Sequence, residues 1–293
     1  MSQIRAFLEL TRPANVITAL TDIMAGMAIV GFLFVWKDYS IQPLLLLGFS
    51  TMCLYAGGVV FNDVFDRELD SIERPERALP SGRISLQAAV AGGLFLLVLG
   101  ILLAFKQSLL SGYLAVIITL LALFYDWKGK HMTYFGPINM GLCRAFNLLL
   151  GMSVYELGVI EQGQWMILPL IYIAAITMVS RGEVHGSTPW PIAAAALFFL
   201  IIHAAQLSLA IKSEQWMAIP FIILHITLIF KPLIKAYQNP IGPNIGKTVK
   251  AGVLSLIVMN AAWVSLSGQW MITLAVLALL PISMRVGKFF AVT

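Results

Sequence analysis

The stretch from Tyr55 to Asp70 reads YAGGVVFNDVFDRELD, and within it Asn62, Asp66 and Asp70 recur four residues apart. On an α-helix that interval returns to the same face, so one amide and two carboxylates form a single stripe. Like charges on one stripe repel each other, and the arrangement gains stability when a cation sits against it. Hard oxygen donors of this kind suit Mg²⁺, which is held by one or two carboxylates together with substrate phosphates. Asp63 lies one position round and either shares the site or points to solvent. The alternative is a solvated helix end whose acids are neutralised by Arg67 and Arg74. An apolar run directly precedes the stripe, which sets it beside a membrane and favours the metal reading.

A second group of polar residues lies inside apolar runs. An arginine at the centre of a bilayer costs at least about 2.5–3.5 kcal/mol unless it faces a partner or water. Arg144 therefore points into the protein, with Asn147 three residues on along the same face. Near the N-terminus Asn15, Thr18 and Asp22 share another helical face. Asp22 and Arg144 form either a buried ion pair or the lining of a polar cavity. In the second case Asn15, Arg144 and Asn147 take part in binding an acceptor or a diphosphate. Cys53 and Cys143 show no C-x-x-C spacing, and His203 and His225 occur singly, so no zinc site is expected. GPNIGKT at 242–248 is one residue short of a phosphate-binding Walker loop.

The elements that position these residues follow from composition. Of 293 residues, 59% are hydrophobic and 11% charged, against roughly 45–50% and about 25% in soluble domains. A cytosolic globular enzyme is excluded. The net charge of +5 and pI near 9.2 do not imply nucleic acid, because so apolar a chain has no exposed basic face to offer. Ten apolar windows of membrane-spanning size emerge, at 14–36, 43–63, 86–105, 108–125, 135–155, 165–182, 190–211, 215–234, 248–267 and 270–287. The expected fold is an all-α, polytopic membrane bundle of nine or ten helices, a single domain over 1–293. The first window is too long for a signal-peptide core and reads as a retained helix. With the N-terminus inside, fifteen of the nineteen Lys and Arg fall on the inner side. Lys37, Lys106 and Lys212 are outside and Arg144 lies within a span, a strong positive-inside asymmetry. The longest hydrophilic segment, DRELDSIERPERALPSGRIS from Asp66 to Ser85, is also on the inner, cytoplasmic side. Trp36, Trp165, Trp190, Trp216 and Trp270 sit near span ends, as interfacial anchors do.

NDVFDRELD followed by ERPERALPSGRIS is similar to the N-D-x-x-D-x-x-x-D plus N-R-P-x-R-P-x-P-S-G signature of the UbiA family of intramembrane prenyltransferases. The opening LTRPANVITALTDIMAG resembles that family's Arg-Pro first helix, and the likeness in hydropathy runs along nearly the whole chain. The resemblance implies an Mg²⁺-dependent transferase of alkyl groups other than methyl. A polyprenyl diphosphate lies in a helical bundle, two acidic motifs hold its diphosphate through metal, and its allylic carbon passes to a small-molecule or lipid acceptor. Asn62, Asp66 and Asp70 become the first metal motif by this likeness, with Asp66 and Asp70 catalytic. Arg12 becomes a substrate-binding residue, and Arg74 and Arg77 are phosphate contacts or plain topology charges. FYDWKGK resembles the family's Tyr-and-Lys element and brings Tyr125, Lys128 and Lys130 towards the diphosphate.

The second acidic motif departs from the family pattern D-x-x-D-x-x-G-D. Here SRGEVHGST at 180–188 puts Ser180 and Glu183 where two aspartates are expected, and Ser187 where a further acid belongs. Glu183 is the surviving carboxylate, a metal ligand and catalytic residue by the resemblance, and His185 adds an imidazole. Arg181 stands to meet the diphosphate directly, a fixed cation in place of a metal. Either catalysis persists with altered metal use, or the fold survives as a non-catalytic carrier or transporter of a lipid or metabolite precursor. The complete first motif favours catalysis. RGEVHG and GLCRAFNLLLG are similar to the UbiA-like EboC branch of bacterial secondary-metabolite clusters. That likeness implies a bacterial inner membrane and an acceptor that is a metabolite precursor.

Overall fold

The structure, a computed structural model, describes residues 3–32 and 41–290, and the predicted anchor Trp36 and outer charge Lys37 lie outside the described residues. Among the described residues the chain is helical, with no strand. A short helix α1 (Gln3–Thr11) leads into α2 (Pro13–Ile29), α3 (Gln42–Phe65) and a two-turn extension α4 (Arg67–Glu73). Then come α5 (Leu86–Gln107), α6 (Leu109–Trp127), α7 (Phe135–Met152), α8 (Glu156–Gln162) and α9 (Ile167–Ser180). The chain closes with α10 (Pro189–Lys212), α11 (Ala218–Gln238), α12 (Gly242–Ser265) and α13 (Trp270–Phe289). Helix starts follow local chemistry. Pro stands in the first two positions of α2, α3, α10 and α12, where its missing N–H costs nothing. Ser85 and Ser108 cap α5 and α6 by accepting from Ala88 N and Ser111 N.

The ten predicted windows fall on α2, α3, α5, α6, α7, α8 with α9, and α10 to α13. Eight of these helices, α8 and α9 counting as one, are long and apolar enough to cross a membrane. The other two are α2, which is shorter, and α7, which carries Arg144. This is an integral, multi-pass membrane protein. The sixth span starts earlier than its window, at Glu156, because a turn at Gly163–Met166 interrupts the helix without redirecting it out of the bundle.

Burial separates inner helices from outer ones. The central window of α12 is 78% buried, whereas those of α5, α11 and α13 are 28%, 28% and 17% buried. The outer helices turn large apolar side chains such as Phe95, Leu102, Leu200 and Ile223 outwards, as lipid-facing surfaces require. Helix α2 packs against both α7 and α12 at the centre. The contact between α2 and α7 is close because glycines form it. A Cβ on Gly26 would lie 2.3 Å from Leu148 O, and one on Gly151 would lie 2.5 Å from Ile23 O. Small residues let membrane helices approach at backbone distance, and this approach sets Asp22 beside Arg144.

One end of the bundle gathers α1 and the connections after α3, α6, α9 and α11. Arg181 bonds the carbonyls of Met132 and Thr133, and Ser187 N donates to Pro240 O at 3.0 Å. Lys106 and Lys212 end α5 and α10 at the opposite side. The polar segments therefore share one face, as the charge pattern predicts. Gly151→Val is expected to cost at least about 2 kcal/mol by overpacking the α2–α7 contact. Gly163→Ala, whose Cβ would stand 3.6 Å from the nearest side-chain atom, serves as the tolerated control. Thermal unfolding of the detergent-purified variants measures both.

Candidate active site

A cavity of about 420 Å³ opens towards the polar end and runs inward between α2, α3, α6, α7, α9 and α12. Its rim carries Arg12, Asn62, Asp66, Asp70, Arg74, Arg77, Asp126 and Glu183. Its body is apolar, with Leu54, Val59, Ile118, Ala122, Ile173, Ile176, Val253 and Leu256. Asn15, Thr51, Tyr55, Arg144 and Asn147 bring polar groups back to the deeper wall.

The acidic stripe survives the break between α3 and α4. Asp66 is off helical geometry, yet Asp66 N donates to Asn62 O at 3.0 Å and Asp70 N to Asp66 O at 2.7 Å. The i to i−4 ladder continues, so Asn62, Asp66 and Asp70 all face the cavity. Their charges are balanced by the protein's own cations. Arg77 Nη1 lies 2.8 Å from Asp70 Oδ2 and 3.5 Å from Asp63 Oδ1, and Lys130 Nζ pairs with Asp66. Arg12 Nη2 reaches Asp63 Oδ1 at 2.7 Å. Arg12 itself sits at φ 45°, ψ 65°, a left-handed turn between α1 and α2 that is uncommon for a residue with a side chain.

Asp63 thus follows neither expectation. It is buried, absent from the cavity wall, and ties Arg12 to Arg77. Arg67 and Arg74 do not neutralise the stripe; Arg67 is exposed, and Arg74 faces the cavity with no ion pair among the described residues. Asp126 was not singled out from the sequence, although it stands beside Tyr125 in the wall. It is buried and accepts from Asn62 Nδ2 at 2.9 Å, which leaves the Asn62 carbonyl oxygen free to turn to the cavity. The available signal was an acid closing an otherwise apolar run, FYDWKGK.

Glu183 lines the rim beside Ser180, and its Oε1 is buried with no hydrogen-bond partner. Burial pushes its carboxyl above the usual range, while the Arg74 and Arg12 charges pull it back. His185 is exposed and outside the wall. Arg181 is not in the wall either: it is exposed and spends its guanidinium on Thr133 O at 2.6 Å and Met132 O at 2.7 Å. Lys128 is exposed at the end of α6, away from the cavity, and Lys130 touches the site only through Asp66.

The deeper group lies about 15 Å inward, the rise of the ten residues from Arg12 to Asp22 along α2. That is half the roughly 30 Å hydrocarbon thickness of a bilayer. Both alternatives for Arg144 hold together. Its Nη1 is 2.9 Å from Asp22 Oδ2, its Nη2 donates to Thr18 Oγ1 at 2.6 Å, and it lines the cavity. Asn147 accepts from Thr51 and donates to Ala19 O and Asp22, and Asn260 donates to Asp22 from α12.

The donor set at the rim is entirely oxygen, and the orphaned Oε1 of Glu183 is one acceptor awaiting a partner. Among the described residues no three acidic, histidine or cysteine side chains form a ready-made metal cage. That combination fits Mg²⁺ arriving with substrate phosphates, since Mg²⁺ takes few protein ligands and keeps the rest from phosphate and water. Arg77→Met is expected to destabilise the protein by about 2–3 kcal/mol by stranding Asp63 and Asp70. Adding Asp63→Asn recovers part of that loss if the pairing is direct, and thermal melts of the two single variants and the double variant give the coupling.

The family model described as the UbiA prenyltransferase family matches residues 24–292. The digeranylgeranylglyceryl phosphate synthase of Methanothermobacter thermautotrophicus is 33% identical over 145 residues, 50% of this chain and 49% of that protein. The protein of the same name from Sulfurisphaera tokodaii is 31% identical over 180 residues, 60% of this chain and 61% of that one. The chain thus spans about half to three-fifths of the curated relatives it matches. A solved UbiA homolog from Archaeoglobus fulgidus, bound to GPP and Mg²⁺, matches with a TM-score of 0.54 at 15% identity, covering 93% of this chain and 99% of that one. At that identity the likeness is one of fold.

Proposed function

This chain belongs to the UbiA prenyltransferase family, and from that premise we propose that it is a membrane prenyltransferase moving an isoprenyl group from a polyprenyl diphosphate to a lipid acceptor. The observation that carries the reading is one continuous cavity with an oxygen-rich, cation-balanced rim above an apolar body. The rim suits a diphosphate and the body suits its hydrocarbon tail. The archaeal relatives, named for a glyceryl phosphate bearing two geranylgeranyl chains, support a lipid precursor as acceptor. The secondary-metabolite acceptor expected from the sequence is set aside on that ground.

Asn62, Asp66 and Asp70, with Asp126 and Glu183 alongside, would hold Mg²⁺. When bound, the metal neutralises charge on the departing diphosphate. Arg74, which faces the cavity without an ion pair, is the cation available to a phosphate oxygen. Arg77 and Lys130 keep the carboxylates apart and oriented in its absence. The apolar body excludes water from the electron-poor allylic carbon. Asp126 also bears on the altered second motif, because a buried carboxylate from α6 offsets part of the acidity lost at Ser180 and Ser187. The family membership and positive-inside pattern support a cell-membrane location with the rim facing the cytoplasm.

The test is binding of geranyl diphosphate to the purified protein with and without Mg²⁺. Binding is expected to require Mg²⁺ and to weaken at least about 100-fold in an Asp66→Ala, Asp70→Ala variant that keeps its melting temperature. Equal binding by both proteins would falsify the assignment of the stripe to metal and diphosphate.

A further inference from the structure

The cations at the polar end of the bundle differ in what balances them. Arg12, Arg77, Arg83 and Lys130, all in the first half of the chain, are each paired with an acid. Lys231 and Lys235 on α11 are exposed and have no ion pair among the described residues. No Asp or Glu follows Glu214 in the sequence, so α11, α12 and α13 supply no carboxylate to meet them. Beside these lysines a furrow of about 280 Å³ lies between α10 and α11. Ile192, Ala193 and Ala196 line it from α10, and Phe230, Ile234 and Tyr237 from α11. The two alanines are too short to fill the space in front of the larger side chains, and the groove stays open. Ile234 and Tyr237 are about half exposed, and Leu197 and Leu200 continue the apolar outer face of α10. The furrow therefore faces lipid. Trp190 and Tyr237 stand exposed at this end of the two helices, as aromatic side chains do at head-group level.

We propose that this furrow is a docking site for an anionic membrane phospholipid, one acyl chain lying between α10 and α11 and the phosphate head group meeting Lys231 and Lys235. Packing and charge each decide part of the assignment. An unfilled furrow on a lipid-facing surface forfeits the dispersion contacts of its walls, so a hydrocarbon chain is the occupant that the lining calls for. The lining is apolar apart from the Tyr237 hydroxyl and does not choose among head groups. The lysines do. They follow Phe230 and Ile234 directly in sequence, so they stand on the lipid side of the helix that forms one wall. Long lysine side chains reach from within a span towards the head groups. A zwitterionic head group brings its own cation and leaves the two ammonium groups unmatched. A net negative one supplies the charge that the C-terminal helices lack. Basic pockets between membrane helices select anionic lipids by this means. The site is separate from the cavity, with which it shares no lining residue.

The probes are dioleoylphosphatidylglycerol and dioleoylphosphatidylcholine, which share acyl chains and differ in net charge. Each is titrated into the delipidated full chain in uncharged detergent, and native mass spectrometry gives the apparent Kd of the first lipid bound. The anionic lipid is expected to bind at least about fivefold tighter, the scale of one lysine's attraction to an anionic surface. That preference is expected to vanish in a Lys231→Gln, Lys235→Gln variant, whose exposed positions leave the fold undisturbed. It is expected to persist in an Arg285→Gln, Lys288→Gln variant, which removes the same charge from α13, a helix that packs on α12 and α2. Ala196→Phe, which fills the furrow, is expected to weaken the first binding step for both lipids. Equal binding of the two lipids by the wild type overturns the proposal whether or not any variant folds. Equal loss of preference in both charge variants overturns the location and leaves a general surface attraction. A wild-type dimer that excludes lipid and dissociates with Ala196→Phe gives the furrow to a second copy of the chain and overturns the lipid as its occupant.

Discussion

A charge at the depth of Arg144 lies far from the membrane surface, and the protein brings it partners of its own. Asp22 is the centre of that provision. It receives Arg144 and Asn147 from α7 and Asn260 from α12 while belonging to α2. The three innermost helices are thus joined through one carboxylate, and the glycine contact at Gly26 and Gly151 brings two of them close enough to meet it. Outer helices contribute mostly apolar surface and need no such specificity. The cavity exists because these polar contacts hold α2, α7 and α12 at fixed spacing while smaller residues leave room beside α3 and α6.

The rim solves a related problem differently. Its acids are shared among several cations instead of one, with Arg77 joining Asp63 and Asp70 and Lys130 holding Asp66. Such a network fixes the oxygens that the proposed metal would take, at the cost that a bound cation would have to compete with the resident ones. Arg12 contributes from a left-handed turn. Backbone strain at that point is the sort of local cost that functional sites carry and the surrounding fold absorbs.

Much of this is legible in the sequence. The four-residue interval of Asn62, Asp66 and Asp70 survives even where α3 gives way to α4, because the hydrogen-bond ladder carries helical phase across the join. The ten apolar windows each found a helix, since bilayer thickness constrains length. What the sequence did not reveal depends on distances between segments. Asp63 and Asp66 are three residues apart, yet one faces Arg12 and the other the cavity. Asp126 becomes part of the site only because α6 passes Asn62. Arg181 and Lys128 carry the right charge at the polar end of the bundle, but loop geometry sends the first to backbone carbonyls and the second to the surface. Charge counting locates a residue's side and says nothing of its aim.

The partners of Asp22 are far from it along the chain, 125 residues for Asn147 and 238 for Asn260. At synthesis rates of about 5–20 residues per second, roughly 10–50 s pass between emergence of Asp22 and arrival of its last amide donor. For that interval the first inner helix carries an acid that the bilayer disfavours by about 2.5–3.5 kcal/mol. Helix α2 is therefore poorly suited to settle in lipid alone, and its partners in α7 and α12 are what make its place in the bundle favourable. The carboxylate that unites the finished bundle is a burden on the nascent one.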